Sequence, residues 1–141
     1  MIEQLTRDEI LHLRHSVLRP GLPEDTARYP ADADPDAFHL AARDADGTVI
    51  SCVSFYPEAL EGEPAWRFRG MATAPGQRGR GVGGELLEAG VAEVVRRGGR
   101  LVWCNGRTSA RAFYERHGFT ARGEEFDSPP AGPHYVMARS L

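Results

Sequence analysis

The sequence predicts an α+β fold: a mixed sheet with helices on both faces. Three observations lead there. Strand and helix signals follow the order β-α-β-β-β-α-β-α-β-β, neither a pure meander nor a strict alternation of strand and helix. Two strand-like stretches flank Asp44-Ala45-Asp46-Gly47, a strong hairpin signal. One strand–helix–strand unit, residues 65–105, has the length of a parallel crossover. With 141 residues the chain suits one domain, 1–141.

The elements are justified in turn. Residues 1–5 suit a short strand, and Thr6 with Glu9 forms a capping box that opens a helix to about Leu18. Ile10, Leu11, Leu13, Val17 and Leu18 supply its apolar stripe, and Pro20-Gly21 stops it. Residues 20–36 carry four Pro and several Asp and are expected as a loop. Strands follow at Phe38–Arg43, Thr48–Tyr56 and, after a Pro/Glu-rich turn at 57–64, Ala65–Thr73. A helix from Val82 to about Arg97 buries Leu86, Leu87, Val91, Val94 and Val95, and Gly98-Gly99 ends it. Leu101–Cys104 is a short strand and Ser109–His117 a helix closed by Gly118. Two further strands are expected near Thr120–Phe126 and His134–Ala138.

Composition removes several function classes. No apolar run approaches the roughly 18–20 residues of a membrane span, and the polar start MIEQLTRDEI is no signal peptide. A cytoplasmic protein without a membrane partner is expected. Cys52 and Cys104 lack metal-ligand spacing and lie in apolar stretches, which predicts buried free thiols; the five His residues show no zinc pattern, so no metal is expected. All seventeen cations are Arg, which excludes a Gly-Lys-Ser/Thr phosphate loop and Schiff-base lysine chemistry. Residues 65–117 hold ten Arg against four Glu, while the other 88 residues carry a net charge of −9. A basic segment in an acidic protein suits a local anionic ligand better than nucleic acid.

The basic segment contains Gln77-Arg78-Gly79-Arg80-Gly81-Val82-Gly83-Gly84, set between a strand and an amphipathic helix. Its glycines let backbone N–H groups approach a ligand, and the helix that follows begins with unpaired N–H groups and a positive dipole end. Together they make a phosphate or pyrophosphate seat. Gly79-x-Gly81-x-x-Gly84 also satisfies the dinucleotide fingerprint. The next strand, however, ends at Asn105 without the acidic residue that fingerprint expects. An oxidoreductase is thus the weaker alternative.

The segment resembles the acetyl-CoA loop of the GNAT superfamily of N-acetyltransferases, Arg/Gln-x-x-Gly-x-Gly/Ala, matched by Arg78-Gly79-Arg80-Gly81-Val82-Gly83. The likeness continues through the preceding strand WRFRGMATAP and through RAFYERHGF at 111–119, the family's second motif. It implies a largely antiparallel sheet in which one parallel strand pair splays apart, with acetyl-CoA as co-substrate in the gap. Met71, Ala72 and Thr73 would pair with the pantetheine arm, and N–H groups from Arg78 to Gly84 would take the pyrophosphate. Seven residues before Tyr114, where many relatives carry a cofactor-contacting Asn, this chain has Arg107; Asn105 is the alternative partner.

The resemblance also implies an amine acceptor, small molecule or peptide, for a monomer or homodimer. Tyr114 would be the general acid toward the coenzyme sulfur, its alternative being a packing role beside Phe113. For the base, Glu58, His134 and ordered water are the alternatives; Glu58 also reads as a solvated turn carboxylate, and His134 as a packed or hydrogen-bonded strand-end residue. A catalytically idle acyl-CoA-binding module on the same fold is the other alternative. The Asp/Glu content of 20–36 and 57–64 mildly favours a cationic acceptor.

Overall fold

A computed structural model describes residues 2–141, leaving the Met1 end of the first expected strand outside the described residues. The strands are β1 (Ile2–Leu5), β2 (Phe38–Arg43), β3 (Val49–Pro57), β4 (Trp66–Thr73), β5 (Leu101–Arg107), β6 (Thr120–Asp127) and β7 (Pro133–Ser140). The helices are α1 (Arg7–Leu18), α2 (Val82–Arg96) and α3 (Arg111–Arg116). The seven strands form one sheet in the order β1-β2-β3-β4-β5-β7-β6. Every pairing is antiparallel except β4 with β5, the pair that the α2 crossover connects. The α+β class and its splayed parallel pair are as expected.

Opposite sheet faces carry α1 and α2. The predicted capping box starts α1: the Thr6 hydroxyl accepts from Glu9 N–H and the Glu9 carboxylate accepts from Thr6 N–H at 2.9 Å. Ile10 and Leu13 of α1 pack on Ala41, Cys52 and Ala72. On the other face, Leu86, Leu87, Val91 and Val94 of α2 meet Phe38, Leu40, Val53, Phe55, Phe68 and Val102. Each such fully buried side chain contributes about 1.5–3 kcal/mol relative to exposure. Phe113 and Tyr114 place α3 against this same core. Val95 does not belong to it: the residue is 53% exposed, one position beyond the buried stripe.

Three other expectations change. Residues 20–36 contain two single-turn 3₁₀ helices, 24–27 and 30–33, rather than plain loop. Their anchor is Arg14, fully buried, which donates to both Asp32 oxygens (2.7 and 3.1 Å), to Ala27 O (2.8 Å) and to Ser54 Oγ (2.6 Å). β5 runs three residues past Cys104, because its pairing with β7 continues to Arg107 opposite His134. The α3 helix is shorter than expected, its first turn 108–110 being 3₁₀. Cys52 and Cys104 are buried free thiols, and burial pushes both up to about 12.

The sheet opens where β4 and β5 part. Only Trp66–Val102 and Arg67–Trp103 are paired across it, so β4 from Phe68 onward presents an edge without a strand partner on that side. A register shift against β3 accompanies the divergence, and Gly70 lies within it at φ +67°. A Cβ there would lie 2.9 Å from Arg14 Nε and 3.1 Å from Tyr29, so glycine suits both conformation and space.

Candidate active site

The divergence opens into a cleft of about 1420 Å³, above the usual range for a drug-sized ligand. At one end lies the glycine loop. Gly79 (φ +83°) and Gly81 (φ +79°) are left-handed, and Gly81 is the N-cap of α2 without any side-chain cap. The helix therefore begins with backbone N–H groups that no side chain satisfies. Gly79, Gly81, Val82, Gly83 and Gly84 all line the cleft. Gly84 is tightly placed: a Cβ would lie 2.8 Å from His117 Nε2.

The two loop arginines diverge. Arg78 lines the cleft and donates from Nε to Thr73 O at 3.2 Å, tying the loop to the end of β4. Arg80 is not part of the lining and donates to Gln77 Oε1 at 3.3 Å. Met71, Ala72 and Thr73 form the β4 wall, and Asn105 with Arg107 the β5 wall. Both β5 residues are exposed into it, so the geometry accommodates either as a ligand contact.

Tyr114 reaches the cleft from α3. Its ring lies 6.0 Å from Phe68, 5.3 Å from Phe113 and 6.3 Å from Phe119, centroid to centroid. Burial, then the Cys104 thiol beside it, push its pKa up, while Arg107 pulls weakly the other way. The hydroxyl thus stays protonated across the neutral range.

The two candidate bases separate. His134 lines the cleft and is buried; Nδ1 donates to Gly132 O at 2.7 Å. A carbonyl only accepts, so in the neutral ring Nε2 keeps its lone pair. The ring stacks on Phe126 at 5.8 Å. Glu58 is absent from the lining and pairs instead with Arg67 at 3.2 Å. Its backbone carbonyl accepts from Trp103 Nε1 at 2.9 Å, fixing the 57–64 turn over that indole.

Residues beyond those expected also contribute. Arg67, Arg69, Tyr29 and the 128–131 turn line the cleft on the side away from the glycine loop. The WRFR stretch carried a signal for two of them, since period-2 alternation puts Trp66 and Phe68 inward and both arginines on the opposite face.

Residues 5–119 match the Acetyltransferase (GNAT) family. The chain belongs to that family. It is 34% identical over 143 residues to an uncharacterized N-acetyltransferase, YitI, of Bacillus subtilis, covering 99% of this chain and 95% of that one. Its fold is similar to a putative N-acetyltransferase from Lactobacillus plantarum (TM-score 0.82, 22% identity, 100% and 97% of the chains). It also resembles an aminoglycoside 6'-N-acetyltransferase complexed with coenzyme A (TM-score 0.76, 16% identity, 99% and 96%). As a GNAT protein it is an acyltransferase, of a family that uses acyl-CoA and acts on amines. Among the described residues no helix is long and apolar enough to cross a membrane.

Proposed function

We propose that this chain, acting as one domain, transfers an acetyl group from acetyl-CoA to the amine of a small molecule or peptide. The observation that carries the reading is the continuity of one cleft from the uncapped α2 N-terminus, past the unpaired β4 edge, to Tyr114 and His134. The residues present suit the cofactor. Left-handed Gly79 and Gly81 leave open space where a Cβ would stand, and an anion is favoured at the start of a helix. N–H groups from Arg78 to Gly84 would hold the pyrophosphate, and Met71–Thr73, with Asn105 or Arg107, the pantetheine arm. Buried free thiols suit a reducing, cytoplasmic setting.

Bound acetyl-CoA supplies an activated acyl group as a thioester. The protein's own contributions are positional and protonic. His134 Nε2 takes the proton of the acceptor ammonium or amine, directly or through water, its Nδ1–H held by Gly132 O. Tyr114 Oη would supply a proton to the departing sulfur, since burial keeps the hydroxyl protonated. Glu58, held by Arg67 away from the cleft lining, is the less suited base. The test is thiol release from acetyl-CoA over a panel of amines, with CoA affinity measured separately. Binding of CoA without turnover of any amine would favour the idle acyl-CoA-binding module. Stabilisation by NADH rather than CoA in a thermal-shift assay would favour the oxidoreductase.

A further inference from the structure

Away from the glycine loop, the cleft has a charge pattern opposite to the one composition favoured. The acids of 20–36 and 57–64 do not line it. Asp32 is spent on Arg14, Glu24 and Asp25 on Arg28, Glu63 on Arg122 and Glu58 on Arg67. The carboxylates that do line the cleft, Glu85 and Glu88, both stand on α2, and Glu88 is engaged by His117 and Arg139.

Among the described residues, Arg19, Arg69, Arg78, Arg107 and Arg116 line the cleft without a carboxylate partner, and of these Arg69 is the one stacked on an aromatic ring. Its guanidinium lies 4.0 Å from the centroid of the Tyr29 ring, which also carries Arg14 at 4.1 Å. Asp32 compensates Arg14, whereas among the described residues no carboxylate lies within 4.0 Å of Arg69. Stacking occupies the flat face of a guanidinium and leaves its N–H groups at the edge; the Tyr56 hydroxyl beside Arg69 engages part of that edge, and the remaining N–H groups can match a carboxylate in bidentate fashion. Tyr29 is itself buried and held through Asp32, whose carboxylate accepts from its N–H at 3.0 Å. Arg69 is therefore a cation stacked on a buried, hydrogen-bonded residue. Two residues earlier, Arg67 repeats the arrangement over Trp103 at 4.8 Å, but with Glu58 already on its edge.

We propose that the acceptor is an amine bearing a carboxylate, and that Arg69 binds that carboxylate. A purely cationic acceptor would meet an uncompensated guanidinium there, a repulsion strengthened by the partial exclusion of water. An acidic one completes the fork and neutralises the site. The inference rests on the acyl-transfer reading of the cleft, and concerns only what the acceptor carries besides its amine.

The test uses matched pairs: free L-amino acids and the corresponding L-amino acid amides, with acetyl-CoA fixed and thiol release followed. The amide amines are less basic and more often neutral, so chemistry without recognition would favour the amides. The expected result is a preference of at least tenfold in kcat/KM for the free acid of the best pair. In Arg69→Gln that preference should collapse to about threefold or less, chiefly through a higher KM for the acid, with CoA affinity retained. Arg69→Lys should recover only part of it, since charge returns without the planar fork. Amides used as well as acids, no turnover of any free acid, or a preference that survives in Arg69→Gln would each overturn the proposal. Turnover of O-phosphoethanolamine but of no free amino acid would replace carboxylate by phosphate and equally overturn it. A protein that binds no CoA would instead sink the acyl-transfer reading beneath it.

Discussion

Gly106 and Tyr114 are in contact only because residue 106 has no side chain. A Cβ on Gly106 would lie 2.5 Å from Tyr114 Cε2 and 2.9 Å from Cδ2, closer than real carbon contacts allow. The strand that forms one wall of the cleft thereby sets the position of the phenol that reaches into it.

Gly106→Ala should therefore act on catalysis through Tyr114. The methyl forces the ring to move by a few tenths of an ångström or more, and catalytic geometry tolerates little displacement. The expected outcome is a fall in kcat of at least tenfold, with CoA affinity changed less than threefold in calorimetry. An unchanged kcat in a folded variant would separate the ring's position from turnover.

Tyr114→Phe isolates the hydroxyl. The ring and its contacts with Phe68, Phe113 and Phe119 survive. If the hydroxyl protonates the departing sulfur, kcat falls while CoA binding hardly changes. General acid catalysis is typically worth about 10²–10⁴-fold, and a thiolate is already a fair leaving group, so at least tenfold is expected. A purely structural hydroxyl would cost about 1 kcal/mol of stability and spare turnover. Steady-state kinetics with a saturating acceptor, beside a melting curve, distinguishes the two.

The features legible in the sequence are those with local causes. The Thr6–Glu9 box, the Asp44–Gly47 turn and the glycine loop between β4 and α2 each act within a few residues, so their signals survive without tertiary context. What escaped depends on distant partners. Arg14 reads as an ordinary surface cation of an amphipathic helix, yet it is fully buried because Asp32, 18 residues on, and Ser54, 40 residues on, meet it. That long-range tie also turns the Pro-rich 20–36 stretch into two 3₁₀ turns. Glu58 shows the same limit: its spacing after β3 says nothing of Arg67, across the hairpin, which claims it. The acids of 20–36 and 57–64 show it too, since counting acids does not reveal which are already paired.

The anion seat is tested best at Gly83. Gly81 requires a left-handed backbone, so substitution there would mix strain with lost binding. Gly83 has no such constraint, and its Cβ would meet only Thr73 Oγ1, at an ordinary 3.7 Å. Gly83→Val should therefore fold, while its side chain obstructs the approach of a phosphate to the first turn of α2. Calorimetry should show at least a tenfold weaker CoA dissociation constant, about 1.4 kcal/mol. Unchanged affinity would remove the loop from the pyrophosphate site.

The buried network predicts a pH dependence of stability. His39 accepts from or donates to Ser54 Oγ at 2.6 Å, beside Arg14. Burial lowers its pKa from 6.5; Asp32 opposes the shift, and Arg14 and Arg7 add to it. The unfolded chain then binds a proton near 6.5 that the folded protein declines, so stability rises with pH through this window. Its contribution is complete above 6.5 and is lost as pH falls toward the depressed folded value. Between pH 7 and pH 5.5 the melting temperature should drop, and His39→Gln should lessen the drop. Equal slopes for both proteins would place the titration elsewhere.

The identity of the base turns on a contrast between His134 and Glu58. His134 faces the cleft with Nε2 uncommitted, because its Nδ1–H is already given to Gly132 O. Asparagine is close in size and retains an N–H that can reach the same carbonyl, but offers no comparable proton acceptor. His134→Asn should therefore lower kcat by about 10–10²-fold, at the low end of general-base effects because water can partly substitute. CoA affinity, which the proposed function assigns to the glycine-loop end of the cleft, should stay within threefold. Glu58→Gln removes the charge that compensates Arg67 without touching the cleft lining. If His134 is the base, kcat of this variant should remain within threefold, and any change should appear in acceptor KM. The reverse pattern, a large kcat loss in Glu58→Gln and little in His134→Asn, would transfer the base to Glu58 and require the Arg67 ion pair to open during turnover.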